Sequence, residues 1–131
     1  MNARRGVTLL EMMVVVILIG ILASVGFINY SKWFEYNLDK DAFAGLKMTQ
    51  AGMRMHKIDT NQYYPGNATS TDIHAINENL GLALLESSDR RWNYKVVGTS
   101  GCSEANRTGA DLRHWYLLIN NTTNPSNGSC P

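Results

Sequence analysis

The sequence predicts an α+β fold: a long N-terminal α-helix packed on a small antiparallel β-sheet, closed by a cysteine-bounded C-terminal loop. Three observations predict it. A proline-free apolar run, Val7–Ile28, opens the chain after six residues. The next thirty residues continue without proline and repeat apolar or small residues at helical spacing. Two short aromatic and β-branched stretches, 91–97 and 113–120, lie in the last third, where both cysteines also fall.

The first element is the apolar run. Apart from Thr8, Glu11 and Ser24 it is apolar or glycine throughout, with Gly20 and Gly26 inside it. Twenty-two helical residues span ~33 Å, enough to cross a hydrocarbon core of ~30 Å. The preceding "MNARRG" is basic, which places the N-terminus in the cytoplasm and exports everything after Ile28. Glu11 is the anomaly, because a carboxylate at the centre of a membrane helix costs about 2.5–3.5 kcal/mol. A secretory signal would end near "LASVG", but its apolar stretch is normally 7–15 residues. A plain single-span anchor fits the length and gives Glu11 no role. Cleavage on the cytoplasmic side, after Gly6, makes Val7 a new N-terminus and Glu11 its fifth residue.

The second element continues the helix to about Ile58. Phe34, Leu38, Ala42, Gly45, Thr49 and Met53 form an apolar or small stripe, and Glu35, Asp39, Lys47, Gln50, Arg54 and Lys57 a polar one. Gly45 and Gly52 weaken this half by up to about 1 kcal/mol each, which predicts early fraying of its end. Residues 59–72 are turn-rich around Pro65-Gly66. A short helix is expected within 73–86, ending near Leu85. The strands come next: Trp92, Tyr94 and Val96 alternate with Asn93 and Lys95, and "RHWYLLIN" follows at 113–120. The intervening "GTSGCSEANRTGAD" and the tail "NTTNPSNGSCP" are expected to be loops. The domain plan is therefore a leader 1–6, an apolar helix 7–28, an amphipathic continuation 29–58 and a globular head 59–131.

Composition narrows function. A net charge of +1 with scattered basic residues offers no nucleic-acid footprint, and loss of residues 1–6 with Arg4 and Arg5 leaves the remainder near −1. Cys102 and Cys130 have no metal-ligand spacing. In an exported segment they are expected to pair, contributing about 3.5 kcal/mol in the chain-entropy picture; two separate thiols are the alternative. His56, His74 and His114 share no metal spacing, no serine sits in a nucleophile-elbow signature, and no enzyme or cofactor is predicted. The Asp/Asn-rich segments 59–61 and 120–127 could bind calcium, but turn chemistry explains them as well. Within 59–131, five Asn-x-Ser/Thr matches, beginning at Asn67, Asn106, Asn120, Asn121 and Asn127, reflect a region rich in those residues. Tyr30, Trp33, Phe34 and Tyr36 suit an interfacial aromatic belt or packing between subunits.

With these residues in view, "RRGVTLLEMMVVVILIGILASVGFINY" resembles the N-terminus of type IV prepilins and the related pseudopilins. Gly6, Thr8, Leu9, Leu10, Glu11, Gly20 and Tyr30 fall on the family's positions. Val7 replaces the more usual phenylalanine and Ile28 a frequent proline. The resemblance implies a pilin-like fold and cleavage between Gly6 and Val7 by a prepilin peptidase that also N-methylates Val7. It further implies assembly through Thr8, Leu9, Leu10 and Glu11, whose carboxylate pairs with the Val7 amine of a neighbouring subunit. Gly20 and Gly26 would let the helix loosen. The implied function is a structural subunit of a type IV pilus, a helical homo-oligomer. It is inserted in the inner membrane, handled by an assembly platform there, and then displayed at the cell surface. The disulfide-bounded C-terminal region leans to pilins. Tyr63-Tyr64-Pro65 resembles a loop of some major pseudopilins, so a periplasmic type II secretion pseudopilin is the alternative, and an exported or anchored non-pilin domain the third reading.

Overall fold

The computed structural model describes residues 7–109, 112–121 and 123–131, without the side chains of Phe27, Ile28 and Asn29. The chain divides into two compact units, one ending at Asn37 and one spanning Leu38–Pro131. Helix α1 (Leu9–Thr60) contributes to both. At 1.5 Å per residue its 52 residues measure about 78 Å. It runs through Gly45 and Gly52 and ends two residues beyond the expected Ile58.

In the second unit α1 packs over a five-stranded antiparallel sheet of order β1-β2-β3-β4-β5. The strands are β1 (Thr69–Ser70), β2 (Trp92–Val97), β3 (Cys102–Arg107), β4 (His114–Leu118) and β5 (Ser126–Asn127). A short helix, α2 (Ile73–Leu80), precedes β2. Asp72 caps it by accepting from the N–H groups of His74 and Ala75. Gly81, at φ 63°, stops it in a left-handed conformation that costs glycine nothing, which is why the helix ends before the expected Leu85.

Leu38, Ala42, Leu46, Thr49 and Met53 are the buried stripe of α1. Against them lie Ile73, Ile76 and Leu80 of α2, Trp92, Tyr94 and Val96 of β2, Ala105 of β3 and Leu117 of β4. The alternation predicted for β2 is observed residue by residue. Two members of the α1 stripes depart from expectation. Phe34 remains 38 % exposed, whereas Gln50, assigned to the polar stripe, is buried. The amide of Gln50 donates to the carbonyls of Leu118 and Asn121 at 2.7 and 2.9 Å, which satisfies it beneath the chain leaving β4.

The largest correction concerns the segment between the two predicted strands. It is not a loop: "CSEANR" is β3, the central strand, paired with β2 along its whole length and with β4. Ser103 and Ala105 register against Val96 and Tyr94 on the face under α1. Small side chains there let helix and sheet approach closely, so the strand lacks the bulky alternation that marks its neighbours. Likewise the turn-rich segment 59–72 and the tail each hold two paired residues, β1 and β5.

On the opposite face the tail folds back over β3. Cys130 is bonded to Cys102. The Cys130 N–H donates to Glu104 at 3.4 Å, and Lys95 Nζ stands 2.7 Å from the same carboxylate oxygen.

Candidate functional site

The site predicted from sequence is the head of α1. Thr8 precedes the helix, and its hydroxyl accepts from the Glu11 N–H at 3.3 Å. The Thr8 carbonyl takes the first helical bond, from the Met12 N–H. Thr8 is thus an N-cap, and Glu11 sits at the third helical position, so the sequence has the Thr-x-x-Glu pattern of a capping box. The sequence reading missed this although the signature stood in "TLLE". The acid also lies in the first turn, where the positive end of the helix dipole favours it. Local structure alone therefore gives Glu11 a place, and Thr8, Leu9, Leu10 and Glu11 form one turn. Gly6 and the leader lie outside the described residues.

Beyond that turn the helix is apolar on every side. None of the residues 7–26 is buried within the chain, and Leu9, Leu10, Leu22 and Val16 are all more than two-thirds exposed. Soluble monomers rarely show an apolar surface of this extent. Length and composition suffice to cross a membrane. The one polar side chain inside the run is turned inward on the backbone: Ser24 Oγ donates to the Ile21 carbonyl at 2.8 Å. Gly20 and Gly26 are both helical, and a methyl group at either would meet nothing within the chain. Neither glycine is needed for internal packing. Below the run, Tyr30 and Trp33 place their rings 6.2 Å apart.

Cys102 and Cys130 are joined as predicted, the Cα atoms 6.0 Å apart. Around them the sheet carries a charged clamp. Burial alone would raise the Glu104 carboxyl, and is the largest single effect on it. Hydrogen bonds from Lys95 and the Cys130 N–H, with the Lys95 charge, outweigh it and hold the group below the usual carboxylate range. His114 Nδ1 lies 3.9 Å from the other carboxylate oxygen. Tyr94 is pushed up to about 12 by burial and by the nearby Asp41 charge, so it stays protonated and donates to the Asp41 carbonyl. Arg113, just before β4, bonds Asp39 of α1 at 3.1 Å. Among the described residues no group of three or more His, Cys, Asp or Glu side chains could hold a metal ion. At the end of β4 the carbonyls of Leu118, Ile119 and Asn121 are already taken by Gln50 and Arg54.

The site is thus a capped, acid-bearing helix start on an unburied apolar helix, linked through α1 to a disulfide-closed α+β head. No curated protein and no solved structure matches the chain. Residues 1–27 match one family model, the prokaryotic N-terminal methylation motif. That motif, on the turn that begins at Thr8, is the signature of type IV prepilins and pseudopilins, and the head behind it has a type IV pilin-like fold.

Proposed function

We propose that this chain is the structural subunit of a type IV pilus. A prepilin peptidase cuts between Gly6 and Val7 and methylates the new amine. The subunit waits in the inner membrane with residues 7–28 spanning it and the head outside. An assembly platform then adds it to a helical filament at the cell surface. The boundaries 1–6, 7–28, 29–58 and 59–131 are the working division for this reading.

The observation that carries it is the wholly unburied apolar helix with a single acid in its first turn. Only lipid or other copies can cover such a surface. In a staggered bundle the Glu11 carboxylate can meet the Val7 amine of a neighbour. Burying either charge alone costs several kcal/mol, so the pair selects the register of addition. Gly20 and Gly26, without packing roles inside the chain, are the points where the helix can loosen.

A second reading is a pseudopilin of a type II secretion system, acting in the periplasm. It is favoured by Tyr63-Tyr64-Pro65, whereas the Cys102–Cys130 closure of the tail favours the pilus. The test is N-terminal sequencing of the mature protein together with imaging of sheared surface filaments, with and without the gene. N-methylvaline from residue 7 in gene-dependent surface filaments is the expected result. A mature start near Gly26 would remove the proposal, and processing without surface filaments would favour the secretion reading.

A further inference from the structure

β2 is paired with β3 along its whole length but with β1 only at its far end. Backbone groups of an antiparallel strand point alternately to its two neighbours. The Arg91 carbonyl accepts from the Thr108 N–H on the β3 side, and the Gly98 N–H donates to the Ala68 carbonyl on the β1 side. The odd-numbered residues of β2 therefore face β3, whereas Trp92, Tyr94 and Val96 face β1. Ser70 registers with Val96, and the chain then turns at Asp72 into α2 instead of running on beside Tyr94 and Trp92. Among the described residues, nothing in the chain bonds the backbone N–H and C=O of Trp92 and Tyr94 on that side. Four ladder groups thus stand open on an edge that β1 covers only in part.

A cavity of about 390 Å³ lies against Trp92 and Tyr94. Ala44 and Met48 of α1 line it on one side, and Leu84 and Leu85 of the segment returning from α2 line it on the other. The side chains of Trp92 and Tyr94 point under α1, where the indole N–H donates to the Leu38 carbonyl and the phenol to the Asp41 carbonyl. Residues opposite each other on paired strands share a face of the sheet. Residues added opposite Trp92 and Tyr94 would therefore turn their side chains to the α1 face, among these apolar groups. The residue between them would lie on the other face, beside the half-buried Asn93.

We infer that the open edge of β2 is a strand-addition site for an extended apolar–polar–apolar segment of a different protein. Its backbone bonds Trp92 and Tyr94, and its two apolar side chains enter the cavity beside α1. An open ladder is matched by extended backbone, which a helix face or a small apolar ligand does not present. Among the described residues every strand of this chain is already paired within its own sheet, so a second copy has no strand to give. The segment is short: three residues at about 3.4 Å each cover the two open pairs. Main-chain bonds supply its affinity and the two cavity positions its specificity. The site belongs to the head and is the same whether the proposed filament is a pilus or a secretion pseudopilus.

The test uses the full-length chain in detergent micelles and, as probe, an acetylated and amidated hexapeptide of alternating threonine and valine. In the free chain the amides of Trp92 and Tyr94 should exchange faster than those of Asn93 and Lys95, which β3 holds. Millimolar peptide should slow exchange at Trp92 and Tyr94 by about tenfold, the effect of one net hydrogen bond each, and leave Asn93 and Lys95 unchanged. N-Methylation separates ladder pairing from apolar burial. The valines enter the cavity, so their amides face β2, and methylating them should abolish the effect. Methylating the threonine amides should leave it. Ala44→Trp, at an exposed position on the cavity wall, should abolish it too. No protection by the peptide, equal loss from both methylations, or undiminished protection in Ala44→Trp overturns the inference. Protection of Trp92 and Tyr94 that grows with protein concentration in the absence of peptide assigns the edge to a second copy and equally overturns it. None of these readouts needs a filament, so the site and the proposed function fail separately.

Discussion

Lys95 on β2 and Glu104 on β3 stand directly opposite each other, Nζ 2.7 Å from Oε2, with the glutamate 3 % exposed. The same oxygen receives the Cys130 N–H, so one buried carboxylate joins two strands and the end of the chain. Its folded pKa is depressed, so the stability it contributes is complete above the ordinary carboxylate value and lost as pH falls through the folded value. Glu104→Gln should therefore lower the thermal midpoint at neutral pH, and the gap to wild type should narrow as pH falls below the ordinary carboxylate range. Thermal unfolding of the detergent-solubilised chain across pH measures this. A gap that persists unchanged into acid would contradict it.

Glu11 stands at the third helical position behind the Thr8 cap, and on the proposed assembly its charge pairs with a neighbour. Glutamine also serves at the third position of a capping box, so Glu11→Gln keeps the local role and removes the charge. Expected is normal membrane insertion and processing with few filaments. Filament yields equal to wild type would leave capping as the only role of the acid. Thr8→Val tests the cap itself and should weaken the helix start by about 1 kcal/mol, seen as faster amide exchange over residues 9–12.

Gly45 is where α1 passes over Tyr94. A methyl group there would collide with the phenol hydroxyl and ring. In an open helix Gly→Ala stabilises by up to about 1 kcal/mol, but overpacking of this kind costs about 1–3 kcal/mol. Gly45→Ala should therefore destabilise the head, and Tyr94→Leu in the same chain should relieve part of the loss. Denaturant midpoints decide the sign, and a stabilised Gly45→Ala would refute the contact.

Replacing both Cys102 and Cys130 by serine removes a closure spanning 28 residues. A loss of about 3–4 kcal/mol is expected. The end of the tail then keeps weaker ties, among them β5 and the bond to Glu104, so limited proteolysis should cut first within 123–131. Cleavage elsewhere first would show that the disulfide is not the main anchor of the tail.

Much of this structure was legible in the sequence, and the misses have physical causes. β2 declares itself because one of its faces is covered and the other is not, so Trp92, Tyr94 and Val96 alternate with polar residues. β3 is covered on both faces, by α1 and by the tail, and meets them with cysteine, serine and alanine rather than large apolar groups. Its residues look like a loop because its partners supply the bulk. Gln50 reads as a surface residue because side-chain type says nothing of the carbonyls waiting above it. The length of α1 and the pairing of the cysteines followed from composition, whereas the cap at Thr8 was written in four residues and overshadowed by the charge of Glu11.

The cap has a consequence for how the precursor is handled. A protease active site reads its substrate as extended backbone, and a peptide bond wound into a helix cannot enter one. By starting α1 at Leu9, Thr8 leaves Val7 outside the hydrogen-bonded ladder. On the proposed processing, Val7, the residue after the bond to be cut, is then not part of the helix. A side chain that fixes where a helix begins would in this way also fix how near the blade can come.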